Sequence, residues 1–104
     1  MTSIYICAPY DNAFSTQHNI QTALNASRKI WATGALPITP HIYFHQFITP
    51  DTPRETILNA CLKLLASADK LLLLTPDTIT PGMQLELDFA ARHNIPIIYP
   101  KDIP

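Results

Sequence analysis

Four short apolar runs each end on a proline, and helical patterns separate them. The runs are Ser3–Ala8 before Pro9, Ala35–Thr39 before Pro40, Lys70–Thr75 before Pro76 and Ile95–Tyr99 before Pro100. Each is rich in β-forming residues, and proline brings no N–H to a ladder, so strands stop there. From about Ser15 to Thr33, Ile20, Ala23, Leu24, Ser27, Ile30 and Trp31 form a helical stripe, with Gly34 as its C-terminal glycine. Trp31 is expected in the core. His41 to Pro50 reads as a loop or short helix. Thr52-Pro53-Arg54-Glu55 reads as a capping box opening a helix that carries Ile57, Leu58, Cys61, Leu64, Leu65 and Ala68. Thr80-Pro81 reads as a cap and first position of a last helix, ending near His93-Asn94.

Strands alternating with helices imply parallel pairing through right-handed crossovers. The expected fold is α/β: a small three-layer sandwich with a four-stranded parallel sheet, Rossmann-like in the broad sense. The run Leu71–Leu74 suits a central strand covered on both faces.

The length of 104 residues predicts one domain over 1–104 with a modest core. Formal net charge is −1 and the seven Lys and Arg are scattered, which argues against electrostatic binding of nucleic acid. No apolar stretch approaches the roughly 18 residues of a membrane span. The chain opens on a strand without the layout of a signal peptide, so a cytoplasmic location is expected. Cys7 and Cys61, far apart, fit free thiols in a reducing compartment.

In such sheets, small molecules bind beyond the carboxyl ends of the strands. That edge collects Ala8, Pro9, Tyr10 and Asp11; Thr39, Pro40 and His41; Thr75, Pro76 and Asp77; and the start of the last helix. On that helix Gly82, Glu86 and Ala90 share one face. The face has little bulk besides one carboxylate, which leaves room for a ligand. The positive end of the helix dipole favours the ionised carboxylate by about 0.3–1 kcal/mol. A solvated surface glutamate and a ligand-facing one both satisfy this spacing.

Other patterns have two readings as well. The chain has no G-x-G-x-x-G after the first strand and no Walker A loop. His41 and His45 are four apart, but no third ligand is evident, so no metal or cofactor is expected. Cys7 and His41 can both reach the strand edge as a thiol–imidazole pair, although a strand cysteine is more often a buried small residue. His41 reads either as a ligand contact or as a structural loop histidine. Arg54 reads either as an anion contact or as a solvated arginine. Of Tyr43, Phe44 and Phe47, two are expected to cover the core. Asp88 and Arg92 have the spacing of an exposed ion pair.

Ile4-Tyr5-Ile6-Cys7-Ala8-Pro9-Tyr10 resembles the opening strand and turn of the nucleoside 2-deoxyribosyltransferase superfamily. Gly82-Met83-Gln84-Leu85-Glu86-Leu87-Asp88-Phe89-Ala90 is similar to its G-[TM]-x-x-E-[IL]-x-x-A helix, and Ala68-Asp69 to its strand entry. Pro40-His41-Ile42 and the G-M-x-x-E form point to a branch of small bacterial and phage proteins without an assigned activity. The resemblance implies that Glu86 attacks the anomeric carbon of a (deoxy)nucleoside, or of its monophosphate, and forms a covalent glycosyl intermediate. It implies that Tyr5 orients Glu86 and that the Ala8-Pro9 turn borders the sugar with Gly82 and Met83; Asp11, His41 and Thr80, at the same strand edge, are expected to contact the substrate. It also implies self-association, with residues from a neighbouring subunit completing the site. Two departures stand out. Thr80 occupies the place of an acid before the motif glycine, and Asn59, Ala60 and Cys61 stand where relatives carry another. A non-catalytic module that binds a nucleotide-derived small molecule is the alternative those departures favour.

Overall fold

The computed structural model describes residues 1–9, 16–49 and 51–103. Their elements run β1 (Ser3–Cys7), α1 (Thr16–Ala32), β2 (Leu36–Ile38), α2 (Pro40–His45), α3 (Arg54–Leu65), β3 (Lys70–Leu73), α4 (Pro81–Arg92) and β4 (Ile97–Ile98), then a 3-10 turn at Pro100–Asp102. The strands form one sheet in the order β2-β1-β3-β4, and every pairing is parallel. This is the expected three-layer α/β sandwich.

Alternation along the strands divides the core in two. Ile38, Tyr5, Leu71 and Ile97 stand opposite one another across the sheet and face a cluster with Cys7, Leu65, Met83 and Ala90 from β1, α3 and α4. Ile6, Leu72 and Ile98 form the next row and face Ala26 and Ile30 of α1. Successive strand residues point to opposite faces, so Tyr5 and Cys7 necessarily share the side of α4. From β1 the chain steps one way to β2 through α1. From β3 it steps the other way to β4 through α4. Right-handed crossovers in opposite directions place these helices on opposite faces. The crevice at this change of direction lies past the carboxyl ends of β1 and β3.

At the other end of the sheet, Ser3 and Asp69 tie the two central strands together. The Asp69 carboxylate accepts from the Ser3 N–H at 2.8 Å and the Ser3 hydroxyl at 3.2 Å, and its N–H donates to the Ser3 carbonyl at 3.0 Å. The two bonds to its carboxylate, the Ser3 N–H first, hold the Asp69 pKa below its ordinary value.

Two helices end in the same motif. Gly34 after α1 has φ +89° and Asn94 after α4 has φ +57°. The N–H of Ala35 donates to the Ile30 carbonyl, and that of Ile95 to the Ala90 carbonyl, the long bond of a Schellman cap.

Several local expectations need correction. Each strand is shorter than its apolar run; Pro37 lies within β2 opposite Ile4, and Pro96 precedes β4 while its carbonyl accepts from the Leu71 N–H. The helix after Thr52 begins at Arg54, with Pro53 as an N-cap that supplies no side-chain bond. Thr52 turns instead to Thr49, whose N–H donates to the Thr52 hydroxyl. Trp31 is 61% exposed, because α1 buries Ala23, Ala26, Ser27 and Ile30, and one further residue rotates the side chain off that face. Of the three aromatics on and after α2 only Phe44 is buried; Tyr43 is 59% and Phe47 56% exposed, and the three pack on one another. Asp88 accepts from Gln84 Nε2 at 2.9 Å, one turn before it. No helix among the described residues is long and apolar enough to cross a membrane.

Candidate functional site

A cavity of about 600 Å³ opens beyond the carboxyl edge of β1, within the size range of small-molecule sites. Three helices and one strand wall it. Tyr5 and Ala8 come from β1 and the turn after it, and Pro40, His41 and Phe44 from α2. Arg54, Glu55, Ile57, Leu58 and Cys61 come from α3, and Thr80, Pro81, Gly82, Met83, Leu85 and Glu86 from the start of α4.

Thr80 fixes the start of α4. Its hydroxyl accepts from the Met83 N–H at 3.2 Å, and Pro81 takes the first helical position. One turn later Glu86 enters the cavity wall, although the residue is only 7% exposed. The fully buried Tyr5 donates its hydroxyl to Glu86 Oε2. The Cys7 thiol lies 3.6 Å from Glu86 Oε1. Cys61, from α3, also interacts with the Tyr5 hydroxyl.

Burial decides the electrostatics. It pushes the Glu86 carboxyl from 4.5 up to about 7, against the opposing pull of the bonds from Tyr5 and Cys7. The expectation that helix position holds this side chain ionised is therefore corrected: loss of water outweighs a dipole term of about 0.3–1 kcal/mol. The Tyr5 phenol is driven well above its ordinary value by burial and then by the Glu86 charge. Burial also raises both thiols, Cys61 to about 11. Tyr5, Cys7 and Cys61 thus remain protonated donors at neutral pH, and Glu86 titrates there.

His41 is a buried structural contact as well as a wall residue. Its Nε2 bonds the Ala8 carbonyl at 2.8 Å and pins the turn after β1. Burial lowers its pKa, with the Ala8 bond acting in opposition. Cys7 and His41 thus bond different partners rather than each other. Gly82 borders open space: a Cβ there would meet nothing nearer than Thr80 Oγ1 at 4.0 Å.

Of the expected site residues, Tyr5, Ala8, His41, Thr80, Gly82, Met83 and Glu86 meet at this cavity. Met83 is almost fully buried and packs in the core as well. Pro9 is buried and lies outside the wall. Asp11 falls outside the described residues. Ala90, on the face of Gly82 and Glu86, is wholly buried in the core. Arg54, which the sequence leaves as either an anion contact or a solvated arginine, lies in this wall, whereas Ile57 and Leu58 are expected only in a core stripe. Ile57, Leu58 and Cys61 have i, i+1, i+4 spacing, which reads equally as a core stripe. Its N-terminal half borders the cavity instead.

Residues 2–100 match the model of a family described as "Domain of unknown function (DUF7768)". The chain belongs to that family. No curated protein matches this DUF7768 chain. Among solved structures it resembles a 2-deoxyribosyltransferase from Bacillus psychrosaccharolyticus, with a TM-score of 0.74 and 16% identity over 94% of this chain and 71% of that one. It also resembles a 2-desoxiribosyltransferase from Leishmania mexicana (TM-score 0.70, 16% identity, 95% and 63%). A conserved protein from Enterococcus faecalis V583 has the same fold (TM-score 0.67, 18% identity, 95% and 62%). The DUF7768 chain spans under two thirds of the length of the last two. These likenesses establish the nucleoside 2-deoxyribosyltransferase-like fold.

Proposed function

We propose that this protein binds a nucleoside or nucleotide in the cavity and cleaves or transfers its N-glycosidic bond through Glu86. One observation carries the proposal: a buried carboxylate in the wall of a ligand-sized cavity is held by the phenol of Tyr5. A desolvated, oriented carboxylate suits attack on a carbon with oxocarbenium character. In the first step a Glu86 oxygen bonds to the anomeric carbon, the C–N bond breaks, and its electron pair leaves with the base. A second base or water then attacks the same carbon, its proton passes to the departed base anion, and the bond to the Glu86 oxygen breaks to release the carboxylate. Tyr5 keeps its proton throughout and orients the nucleophile. Ala8, Gly82 and Met83 border the sugar, and His41 holds the β1 turn against it.

Attack needs ionised Glu86, so turnover rises with pH to a plateau above about 7. Incubation with deoxynucleosides, their monophosphates and free bases, followed by chromatography of released or exchanged base, tests the proposal. Glu86→Ala should abolish turnover while the fold survives. Full turnover in that variant would remove Glu86 as nucleophile.

A binding module without turnover is the second reading. One observation favours it: the Thr80 hydroxyl, where relatives are expected to carry an acid, serves as a helix cap. Saturable binding of these compounds without base release would support that reading.

A further inference from the structure

We propose that Cys7 is a positioning residue for Glu86, its thiol holding Oε1 while the Tyr5 hydroxyl holds Oε2. The role rests on Glu86 being the reacting carboxylate, as argued above. The two donors sit two residues apart on β1, so the pleat aims both at the same helix. Cys7 lies 3.6 Å from Oε1 and 4.0 Å from the Met83 carbonyl. It is fully buried, so bulk water does not compete for its proton.

The arrangement answers a specific need. The last torsion of a glutamate is broad, and one bond from Tyr5 leaves the carboxylate free to swing about Oε2. A second donor on the other oxygen fixes its plane. A thiol is a weak donor, so it can orient Oε1 without withdrawing much of that oxygen's basicity. The thiol stays protonated because burial, and then the Glu86 charge, raise its pKa. The ionisable groups around Glu86 are Tyr5 and Cys7 from β1 and Cys61 from α3, with His41 of α2 and Arg54 and Glu55 of α3 elsewhere in the cavity wall.

Infrared spectroscopy of the ligand-free protein tests this without requiring turnover. The S–H stretch falls in a window free of other protein bands, and Cys7→Ala identifies the Cys7 component. As pH rises through about 7, that band should move to lower frequency, because ionised Glu86 is the stronger acceptor. In Glu86→Gln it should stay still. A Cys7 band that ignores pH in the wild-type protein would overturn the proposal. As a second readout, Cys7→Val fills the space without a donor and should raise the Glu86 midpoint by about half a pH unit, read from its carboxyl carbon by NMR. An unchanged midpoint would assign Cys7 to packing alone. A responsive band in a protein that never releases base would uphold the contact and refute only the catalytic reading.

Discussion

Neutralising Glu86 should stabilise the protein, and only at higher pH. The fold moves the carboxyl from an ordinary 4.5 to about 7, with burial as the main cause. At about 1.4 kcal/mol per pH unit, that displacement costs the ionised native state about 3 kcal/mol. The sign follows from proton counting. Between 4.5 and about 7 the native state binds more protons than the unfolded chain, so stability falls as pH rises. The full contribution is present below 4.5 and its loss is complete above about 7. Glu86→Gln keeps the shape and an acceptor for Tyr5 but cannot ionise. Urea unfolding of both proteins from about pH 4.5 to 8.5 should show similar stabilities at the acid end. The variant should gain up to about 3 kcal/mol at the alkaline end, a large share of the 5–15 kcal/mol typical of a domain. His41 acts oppositely: burial lowers its pKa, so its contribution is lost as pH falls. Because both proteins carry His41, the difference between them isolates Glu86. Parallel stability curves would refute the claim that burial controls this carboxyl.

Four further outcomes follow from the same geometry. Tyr5→Phe leaves Glu86 Oε2 without its donor, so the Glu86 midpoint should rise and stability above about pH 7 should fall by about 1–3 kcal/mol, read by carboxyl NMR and urea melts. Gly82→Ala meets no clash and should stabilise α4 by a few tenths to about 1 kcal/mol, while calorimetry should show weaker binding of a nucleoside in the narrowed cavity. Gly34→Ala should cost about 1–2 kcal/mol, because φ +89° strains any side chain even in open space. Leu65→Ala, at a fully buried site, should cost about 2–5 kcal/mol by thermal unfolding.

Much of this architecture is legible in the chain because local signals agree. Pro9, Pro40, Pro76 and Pro100 mark the strand ends, Thr80-Pro81 starts α4, and Gly34 stops α1. These residues act through their own backbone geometry, which sequence exposes directly. The Tyr5–Glu86 meeting is legible only through the family resemblance. What stayed hidden depends on placement in space. A stripe such as Ile57, Leu58 and Cys61 carries the same periodicity whether it faces a core or a hollow. Trp31 follows Ile30 on α1, and no local signal says which of them the sheet covers. The protonation of Glu86 is hidden for the same reason. Position in a helix is visible in sequence, whereas exclusion of water is a property of the packed surroundings. Nor does the sequence show that Cys7 bonds Glu86, since alternation fixes its side of the sheet but not its contact.

The central claim is that Glu86 of this DUF7768 chain faces the reacting carbon of a bound nucleoside. A crystal structure with a deoxynucleoside in the cavity measures this directly. A Glu86 oxygen should lie about 3–3.5 Å from the anomeric carbon, with Tyr5 still bonded to Oε2. A nucleoside seated with its sugar away from Glu86, or bound outside this cavity, would contradict the account.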